Sequence, residues 1–528
     1  MASRGDKSTG WCGGYPAHCL NRRGFLQQCG ATLTAGALGA AAMPSAAAGE
    51  AAAEKKVRVG LVFICYPPGQ PVWPYVDFDY DARKRELNRQ LKQGCPKLEF
   101  VPLSLQGAAG EEIPRVKKLA QDVDGLLIIP LCTHWGLTSQ LLPVVAKLDM
   151  PTVVADEPYS GSGVFLCYYA AMHRAGSKAV GVSSCRLQDL VDVVNCFGML
   201  ARPGTTVEAF AAEAERVKRA GFAKPGEMTC KDDPVKVANV GKALAAVRKD
   251  KMLVVGRGAR PFELLGVPIQ PVGFEEINAI YQKVDREEAT RWADRWADEA
   301  QEVVEPAKED LRKSAAIYLA MEDLMKKHDA QGVTINCLGG FYGGHLPGYP
   351  CLGYRQLNND GVRMGTCEAM PDDLLMQLIC KHLLGRPGFA SDPVLDTSTN
   401  QIIYAHCVAP TKMFGPQGPV NPFRIRSHAE DGKGASVQSL LPLGYMTTTF
   451  DIRPSSKEMV THQGKAVANV DEARACRTKL AAEVKGDIGR LFHEWDRFGW
   501  HRVTVYGNVQ EPIEAMGKAM GLSIVREA

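Results

Sequence analysis

Two carboxylates, Glu368 and Asp392, flank a segment of the chain that carries a full set of helix signals. A strand leading into such a helix would bring Glu368 to the carboxyl edge of a sheet. The strand after the helix would bring Asp392 near the same edge. The pattern therefore predicts two oxygen ligands that face one cleft, and oxygen ligands are those that hard divalent cations bind.

The helix between these acids is predicted to begin at Pro371 and to end just before Gly385. Proline is favoured at the first helical position and glycine just past the last. Asp372 and Asp373 would lie in the first turn, where acids complement the helix dipole. Leucine and isoleucine recur at spacings of three and four residues, which indicates a buried stripe. We therefore expect this helix to pack on a sheet.

The composition is that of an ordinary globular protein, with 45% apolar and 23% charged residues in a chain of 528. A chain of this length exceeds a single hydrophobic core, so we expect two or three domains. The formal net charge of +3 is spread along the chain without a basic block or an aromatic ladder. The sequence therefore gives no electrostatic reason to expect nucleic acid as a partner.

The beginning of the chain resembles a twin-arginine export signal. Arg22 and Arg23 precede an apolar run rich in alanine and glycine, and small residues from Ala46 to Ala48 offer a cleavage region. A chance arginine pair before a low-complexity linker is the alternative. No later run approaches the roughly 18 apolar residues of a membrane span. We expect residues 1–50 to be signal peptide and linker, the protein to be exported to the periplasm or another extracytoplasmic space, and no membrane span after cleavage.

The cysteines do not form the pattern of a disulfide framework. Three of the 16 cysteines lie in the leader, and the remaining 13 are an odd number that cannot all pair. Cys65, Cys132 and Cys380 lie inside apolar strand or helix patterns, where a thiol packs as a small hydrophobe. No CxxC pair is present. We expect mostly buried free thiols, with room for one or two disulfides.

From Val57 onward, continuous apolar runs alternate with charged segments of helical period. Such runs fit strands buried on both faces, and the alternation is typical of parallel sheets with helical crossovers. The predicted fold class is α/β, with two Rossmann-like parallel-sheet domains over residues 57–178 and 179–329. An α/β C-terminal domain would follow over residues 330–528.

Two features of the first two domains have structural explanations that compete with functional ones. Gly256 and Gly258 follow a strand, but the third glycine of a dinucleotide fingerprint is absent, so a plain turn is predicted. His134 and Trp135 come directly after another strand. They could line a cleft at the carboxyl end of the sheet or form a capped turn.

The last two hundred or so residues hold most of the polar positions that could do chemistry. A buried strand leads to Asn336 and then to an irregular loop rich in glycine and proline, of a length that is usually functional. A strand ending at His406 follows the two acids, and a polar segment contains Arg426. His501 precedes a late strand and a terminal helix.

This C-terminal part resembles the corresponding domain of the L-fucose isomerase and L-arabinose isomerase superfamily. Three features carry the resemblance together: a Cys-Glu motif that opens a leucine-rich helix, an aspartate 24 positions after that glutamate, and a late histidine before the strand VTVYG. The resemblance implies that Glu368, Asp392 and His501 bind a divalent cation, usually manganese. It also implies two preceding α/β domains and a homo-oligomer whose sites lie near subunit contacts.

The implied ligand set suits an aldose–ketose isomerase. Two carboxylates and one imidazole leave open positions on an octahedral Mn²⁺ or Mg²⁺ ion, where the vicinal oxygens of an open-chain sugar can bind. The cation would stabilise an ene-diolate while Glu368 or Asp392 carries the proton between neighbouring carbons. Considered singly, each acid is better explained as a solvated loop residue or a helix charge.

Around the three implied ligands the chain departs from the superfamily. Met370 stands where the isomerases have another acid, and Asn336 stands where they place polar substrate-contacting groups. His406 is followed by Cys407 instead of the usual glycine, and it could reach the substrate or be a buried, hydrogen-bonded strand histidine. We predict Asn336, His406 and Arg426 as substrate-binding residues.

Three functional hypotheses follow. The first is a metal-dependent aldose–ketose isomerase, or a close relative, that acts on a sugar. The second is an exported sugar-binding protein of the same fold without turnover, which Met370 and the export signal favour somewhat. The third keeps ene-diolate chemistry for epimerisation or lyase cleavage. Metal binding with turnover separates the first from the second, and the identity of the product separates the first from the third.

Overall fold

A computed structural model of the protein describes residues 56–258 and 260–528, without the side chain of Glu494. The predicted export signal, residues 1–50, lies outside the described residues. Within them, no helix is both long and apolar enough to cross a bilayer.

The first part of the described chain alternates strands with helices. Its elements are β1 (Val57–Ile64), α1 (Tyr80–Gly94), β2 (Leu98–Leu105), α2 (Ala109–Leu119), β3 (Gly125–Pro130), α3 (Trp135–Val145), β4 (Thr152–Ala155), α4 (Ser162–Arg174), β5 (Val180–Val182), α5 (Leu187–Asn195) and α6 (Val207–Ala220). The five strands are parallel in the order β2-β1-β3-β4-β5. Every residue of β3 and β4 is buried, because helices cover both faces of the sheet. The predicted parallel α/β sheet is confirmed.

The second part builds another sheet. Its elements are α7 (Val240–Val247), β6 (Met252–Val255), β7 (Phe262–Leu264), β8 (Val267–Val272), α8 (Phe274–Tyr281), α9 (Arg286–Glu299), β9 (Glu302–Val303), α10 (Lys308–Lys327), β10 (Gly332–Ile335), α11 (Cys337–Tyr342), α12 (Cys351–Asp360), β11 (Met364–Thr366) and α13 (Pro371–Leu384). The order is β11-β10-β6-β8-β7. All neighbours are parallel except the edge strand β7.

The sheets extend past the predicted domain boundaries. Strand β5 lies beyond residue 178 but belongs to the first sheet, and β10 and β11 lie beyond residue 329 but belong to the second. Each of these strands is too short to show its partner by pattern alone, because the hydrogen bonds that place it run to strands far away in the sequence.

The C-terminal region is organised differently. Its elements are β12 (Phe389–Asp396), β13 (Gln401–His406), β14 (Phe423–Arg426), β15 (Ser436–Ser439), β16 (Met446–Arg453), β17 (Glu458–Asn469), β18 (Thr478–Val484), α14 (Leu491–Glu494), β19 (Arg502–Tyr506), α15 (Gln510–Ala519) and β20 (Ser523–Arg526). Six antiparallel strands close into a barrel in the order β16-β19-β12-β13-β18-β17, with β17 paired back to β16. The α/β class is confirmed, whereas the C-terminal region is built mainly around this closed barrel.

A buried polar network fills part of the barrel interior. Tyr404 and Thr449 lie on β13 and β16, which do not neighbour each other in the barrel, so their 2.8 Å hydrogen bond crosses the interior. The Tyr404 hydroxyl also contacts Nε2 of His462, whose Nδ1 lies 2.8 Å from Glu527. Arg502 forms an ion pair with Glu527 at 3.1 Å, and both side chains are fully buried.

Helix α13 joins the second sheet to the barrel. It begins at Pro371 and ends before Gly385, whose φ of 63° is left-handed, as the sequence predicts. It packs against β10 and β11 on one side and against β16 and β19 on the other. The predicted buried stripe is therefore confirmed, and the apolar surface is wider than one stripe because two sheets cover it.

Candidate metal centre

Glu368 lies in a strained turn between β11 and α13. Its φ is 66°, and that of Ala369 is 52°, a left-handed conformation that costs a non-glycine residue about 1–3 kcal/mol. Three successive backbone N–H groups of the turn donate hydrogen bonds to β10 or to Cys337 just after it. The N–H of Glu368 donates to Cys337 Sγ at 3.3 Å. Those of Ala369 and Met370 donate to the Ile335 carbonyl oxygen at 2.9 Å and to Thr334 Oγ1 at 3.1 Å. These bonds stabilise the turn that presents the Glu368 carboxylate.

Three neighbouring barrel strands bring the other site residues together. Asp392 lies in β12, directly opposite Ala405 of β13, so it neighbours His406 at the end of that strand. On its other side β12 pairs with β19, and His501 immediately precedes that strand. Asp392 is thus on the barrel and not on the sheet that carries Glu368. The two predicted oxygen ligands face one cleft from two different sheets.

An oxygen of each predicted carboxylate ligand lies near His501 Nε2. His501 Nε2 lies 3.1 Å from Asp392 Oδ1 and 3.7 Å from Glu368 Oε2. His501 Nε2 and Asp392 Oδ1 are close, yet neither atom has a hydrogen-bond partner of good geometry among the described residues. Two neighbouring ligands of an octahedral cation lie about 3 Å apart, because each bond is about 2.1 Å long. The geometry therefore fits a divalent cation between them.

A buried carboxylate fixes the orientation of the His501 ring. Asp373 Oδ2 lies 2.6 Å from His501 Nδ1, and both side chains are almost fully buried. Burial alone would lower the pKa of His501, but Asp373 and Asp392 outweigh it and raise that pKa well above its usual value. With Nδ1–H donated to Asp373, Nε2 is the atom that would hold a cation, as in many metal sites.

His406 presents the opposite tautomer. The backbone N–H of Cys407 donates to His406 Nδ1 at 2.8 Å, so the neutral ring carries its proton on Nε2. Burial and the nearby His501 hold the pKa of His406 well below its usual value. Its Nε2 lies 3.7 Å from Glu368 Oε1 and has no hydrogen-bond partner among the described residues. His406 is therefore better suited to donate a hydrogen bond than to bind a cation.

The two site carboxylates differ in their access to the cleft. The Glu368 side chain is 24% exposed, whereas that of Asp392 is 4% exposed. Burial raises the pKa of both carboxyl groups, and the charge of His501 opposes this rise without cancelling it. A raised pKa suits a group that accepts and returns a proton near neutral pH. Glu368 is the carboxylate that can also reach a bound substrate.

Glu368, Asp392 and His406 line a cavity of 590 Å³. Trp73 follows β1, and Thr133 and Trp135 follow β3, so they come from the point where the strand order of the first sheet reverses. Ligand clefts of open α/β sheets form at such points. His134 caps α3, since it accepts a hydrogen bond from Leu137 N–H at 3.2 Å. Of the two roles predicted for this loop, Trp135 therefore lines the cleft and His134 caps the turn.

The cavity is also lined by an acid and a base, Glu430 and His428, that no sequence pattern assigned to the site. Burial alone would lower the pKa of His428. The Asp431 carboxylate, 3.1 Å from this ring, outweighs burial and raises the pKa of His428 to about 9. Burial raises the pKa of Glu430 to about 7, and the Tyr342 hydroxyl donates to this carboxylate at 2.8 Å. His428 and Glu430 reach the cavity only through the fold of the chain.

Two predicted substrate-binding residues are placed elsewhere. Asn336 caps α11, accepting from Gly339 N–H at 3.3 Å, and Arg426 pairs with Glu305 at 2.7 Å. Neither is among the described residues that line the cavity. In this structure a helix cap and an ion pair use their polar atoms.

The thiols follow the prediction. None of the thirteen described cysteines is in a disulfide, and most are buried. Cys367, Cys407 and Cys476 line the cavity, and the Cys476 thiol lies 4.0 Å from Asp392 Oδ2. Gly256 and Gly258 have φ values of 72° and 82°, which agrees with the predicted turn.

A second cavity, of 340 Å³, lies at the carboxyl ends of β3, β4 and β5. Its charged groups are paired with one another: Arg83 and Arg474 both lie 2.9 Å from Glu157, and Arg474 also pairs with Glu472. Asp156 also lines this cavity, and its Oδ1 has no hydrogen-bond partner among the described residues. The candidate site is placed in the larger cavity, because both groups of possible metal ligands have members in its wall.

Replacing Asp373 by asparagine is expected to lower the affinity for Mn²⁺ by about 10- to 100-fold, because the ring of His501 loses the anion that orients it. An isothermal titration of the full chain with Mn²⁺ measures this. Asp372→Asn is the matched control, since Asp372 lies in the same helical turn but is not hydrogen-bonded to His501. Equal affinities for the two variants would contradict the assigned role of Asp373.

Two groups of side chains have ligand atoms within 4.8 Å of one another and could hold a metal ion: Cys367, Glu368 and His406 form one, and Asp392, His406 and His501 form the other. No protein-family model matches the sequence, and no curated protein matches it.

Proposed function

We propose that the protein is a divalent-metal-dependent aldose–ketose isomerase, or a close relative, that acts on a sugar and uses Mn²⁺ or Mg²⁺. One observation carries this proposal. His501 Nε2 lies 3.1 Å from Asp392 Oδ1 and 3.7 Å from Glu368 Oε2, and the two acids line a cavity of 590 Å³, which is large enough for a sugar. The resemblance to the L-fucose and L-arabinose isomerase superfamily assigns the cation to the same three residues.

Each residue then has a distinct task. Glu368, Asp392 and His501 would hold the cation, which when bound supplies the positive charge that stabilises an ene-diolate. Glu368 would carry the proton between the two carbons, because it is the more exposed acid. His406 would donate its Nε2–H to a sugar oxygen, and Asp373 would keep the His501 ring in place.

A sugar-binding protein without turnover is the second candidate. Met370 lines the cavity with an apolar side chain where the superfamily has an acid, which favours this candidate. Asp373, however, supplies a carboxylate beside His501, so the loss of an acid at position 370 leaves the proposed metal ligands supported. An epimerase or lyase would use the same ene-diolate, and product analysis separates it from an isomerase.

Solvent isotope exchange tests the proposal. The full chain with saturating Mn²⁺ is incubated in deuterated water with a panel of aldoses and ketoses, among them L-fucose, L-arabinose and D-xylose. NMR is expected to show a new isomer of at least one sugar, with deuterium on the carbon next to the carbonyl. Bound metal without exchange into any sugar would refute the isomerase and favour the binding protein.

Export and assembly are further parts of the proposal. We propose that residues 1–50 direct the chain to an extracytoplasmic space and that the protein is a homo-oligomer. N-terminal sequencing of protein from cell fractions tests the first proposal, and light scattering of the purified protein tests the second.

A further inference from the structure

The cavity extends beyond the candidate metal centre. Its volume of 590 Å³ lies within the range of about 300–1,000 Å³ in which drug-sized ligands bind. A disaccharide has nearly twice as many non-hydrogen atoms as a monosaccharide. One open-chain sugar on Glu368, Asp392 and His501 would therefore leave part of the cavity unfilled. The residues of its outer wall indicate what could bind there.

Two tryptophans form part of this outer wall. Trp135 is 37% exposed, and its ring centroid lies 4.5 Å from that of Trp500 in an edge-to-face arrangement. Trp500 immediately precedes the proposed ligand His501, so the pair connects the metal centre with the surface. A methyl group on Gly163 would lie 1.5 Å from the Trp500 ring, so this ring rests directly on the backbone of α4. The aromatic wall is therefore rigidly supported.

An exposed arginine belongs to the same cavity. Arg257 follows β6, lies between Gly256 and Gly258, and is exposed. Within residues 56–258 and 260–528 it has no hydrogen bond or ion pair, although it lines the cavity. A guanidinium group has five N–H donors in a planar fork. Such a fork can bond two neighbouring hydroxyl groups at once.

We propose that Trp135, Trp500 and Arg257 form a second sugar subsite, so that the natural ligand is a disaccharide or longer glycoside whose reducing unit occupies the metal centre. Aromatic faces bind the apolar C–H face of a sugar ring, and arginine binds its hydroxyl groups. The position of the reducing unit rests on the proposed function. The second subsite itself rests only on the outer wall.

Binding measurements compare sugars that share one reducing unit. D-glucose, cellobiose, maltose and lactose are each titrated into the Mn²⁺-loaded full chain, with tryptophan fluorescence and calorimetry as readouts. At least one disaccharide is expected to bind about tenfold more tightly than D-glucose. Trp135→Ala and Arg257→Gln should each remove this advantage and keep the affinity for D-glucose within about twofold. Phe262→Ala is the matched control, because Phe262 is an exposed aromatic outside the cavity.

The outcomes separate the subsite from the proposed reaction. The subsite is refuted if no disaccharide binds more tightly than D-glucose, or if Trp135→Ala weakens D-glucose equally. A change of oligomer size in Trp135→Ala, seen by light scattering, would make Trp135 a subunit contact and also refute it. Isotope exchange into monosaccharides without a disaccharide preference overturns the subsite alone. A disaccharide preference without exchange supports the subsite and overturns the isomerase.

Discussion

Replacing Glu368 by glutamine is expected to reduce isotope exchange by about 10²- to 10⁴-fold, the usual contribution of a positioned acid or base. Glutamine keeps the size of the side chain and an oxygen that can still face the cation, but it cannot accept a proton. The exchange rate is measured by NMR at a Mn²⁺ concentration that saturates the variant. Under that condition the loss reports proton transfer and not a weaker metal affinity.

A second acid of the same cavity provides the matched control. Glu430 is partly buried, its pKa is raised to about 7, and its carboxylate accepts a hydrogen bond from the Tyr342 hydroxyl. Glu430→Gln is therefore expected to retain most of the exchange. If the Glu430 variant lost exchange while the Glu368 variant kept it, Glu430 would be the proton carrier and the assignment of Glu368 would be wrong.

The sequence predicts α13 well because the signals for this helix are local. Pro371 and Gly385 act on the backbone at their own positions, and the acids of the first turn act on the nearest peptide groups. The same local explanation concealed the role of Asp373. As a helix charge this residue needs no other partner, and only the fold shows that it is buried against His501.

Sequence patterns could not predict the barrel. All eight residues of β12 are buried, because one face of the strand looks into the barrel and α4 covers part of the strand from outside. Without alternation, such a strand cannot be told from one in a parallel sheet. The pairing of β16 with β17 closes the barrel, and closure depends on all six strands together.

The partners of the predicted substrate-binding residues were also hidden in the sequence. Arg426 looked free in a polar segment, but its partner Glu305 is 121 positions away in the sequence. Conversely, Trp73 carried no local motif, and it reaches the cavity because the strand order of the first sheet reverses between β1 and β3. A spaced motif or a position directly after a strand could suggest site residues, whereas contacts between residues far apart in the sequence could not be predicted.

Replacing Glu527 by glutamine is expected to lower the stability of the barrel by about 3–5 kcal/mol at pH 7, because Arg502 would keep a buried charge without its main partner. Both side chains have no exposed surface. Amide hydrogen exchange of β17 and β18 measures the free energy of opening locally. Glu511→Gln, at an exposed position of α15, is the control and should stay within about 0.5 kcal/mol of the unchanged chain.

The pH dependence gives this prediction a second test. Burial alone would raise the pKa of Glu527, but Arg502 and His462 outweigh burial and lower it to about 2, whereas an unfolded glutamate titrates near about 4.3. Because the folded pKa is the lower one, the ionised carboxylate stabilises the fold above about pH 4, and this contribution decreases as the pH falls towards about 2. The difference between the unchanged chain and the Glu527→Gln variant should shrink over the same interval. A difference that stayed constant from pH 7 to about pH 2 would mean that packing of the side chain, and not its charge, stabilises the barrel.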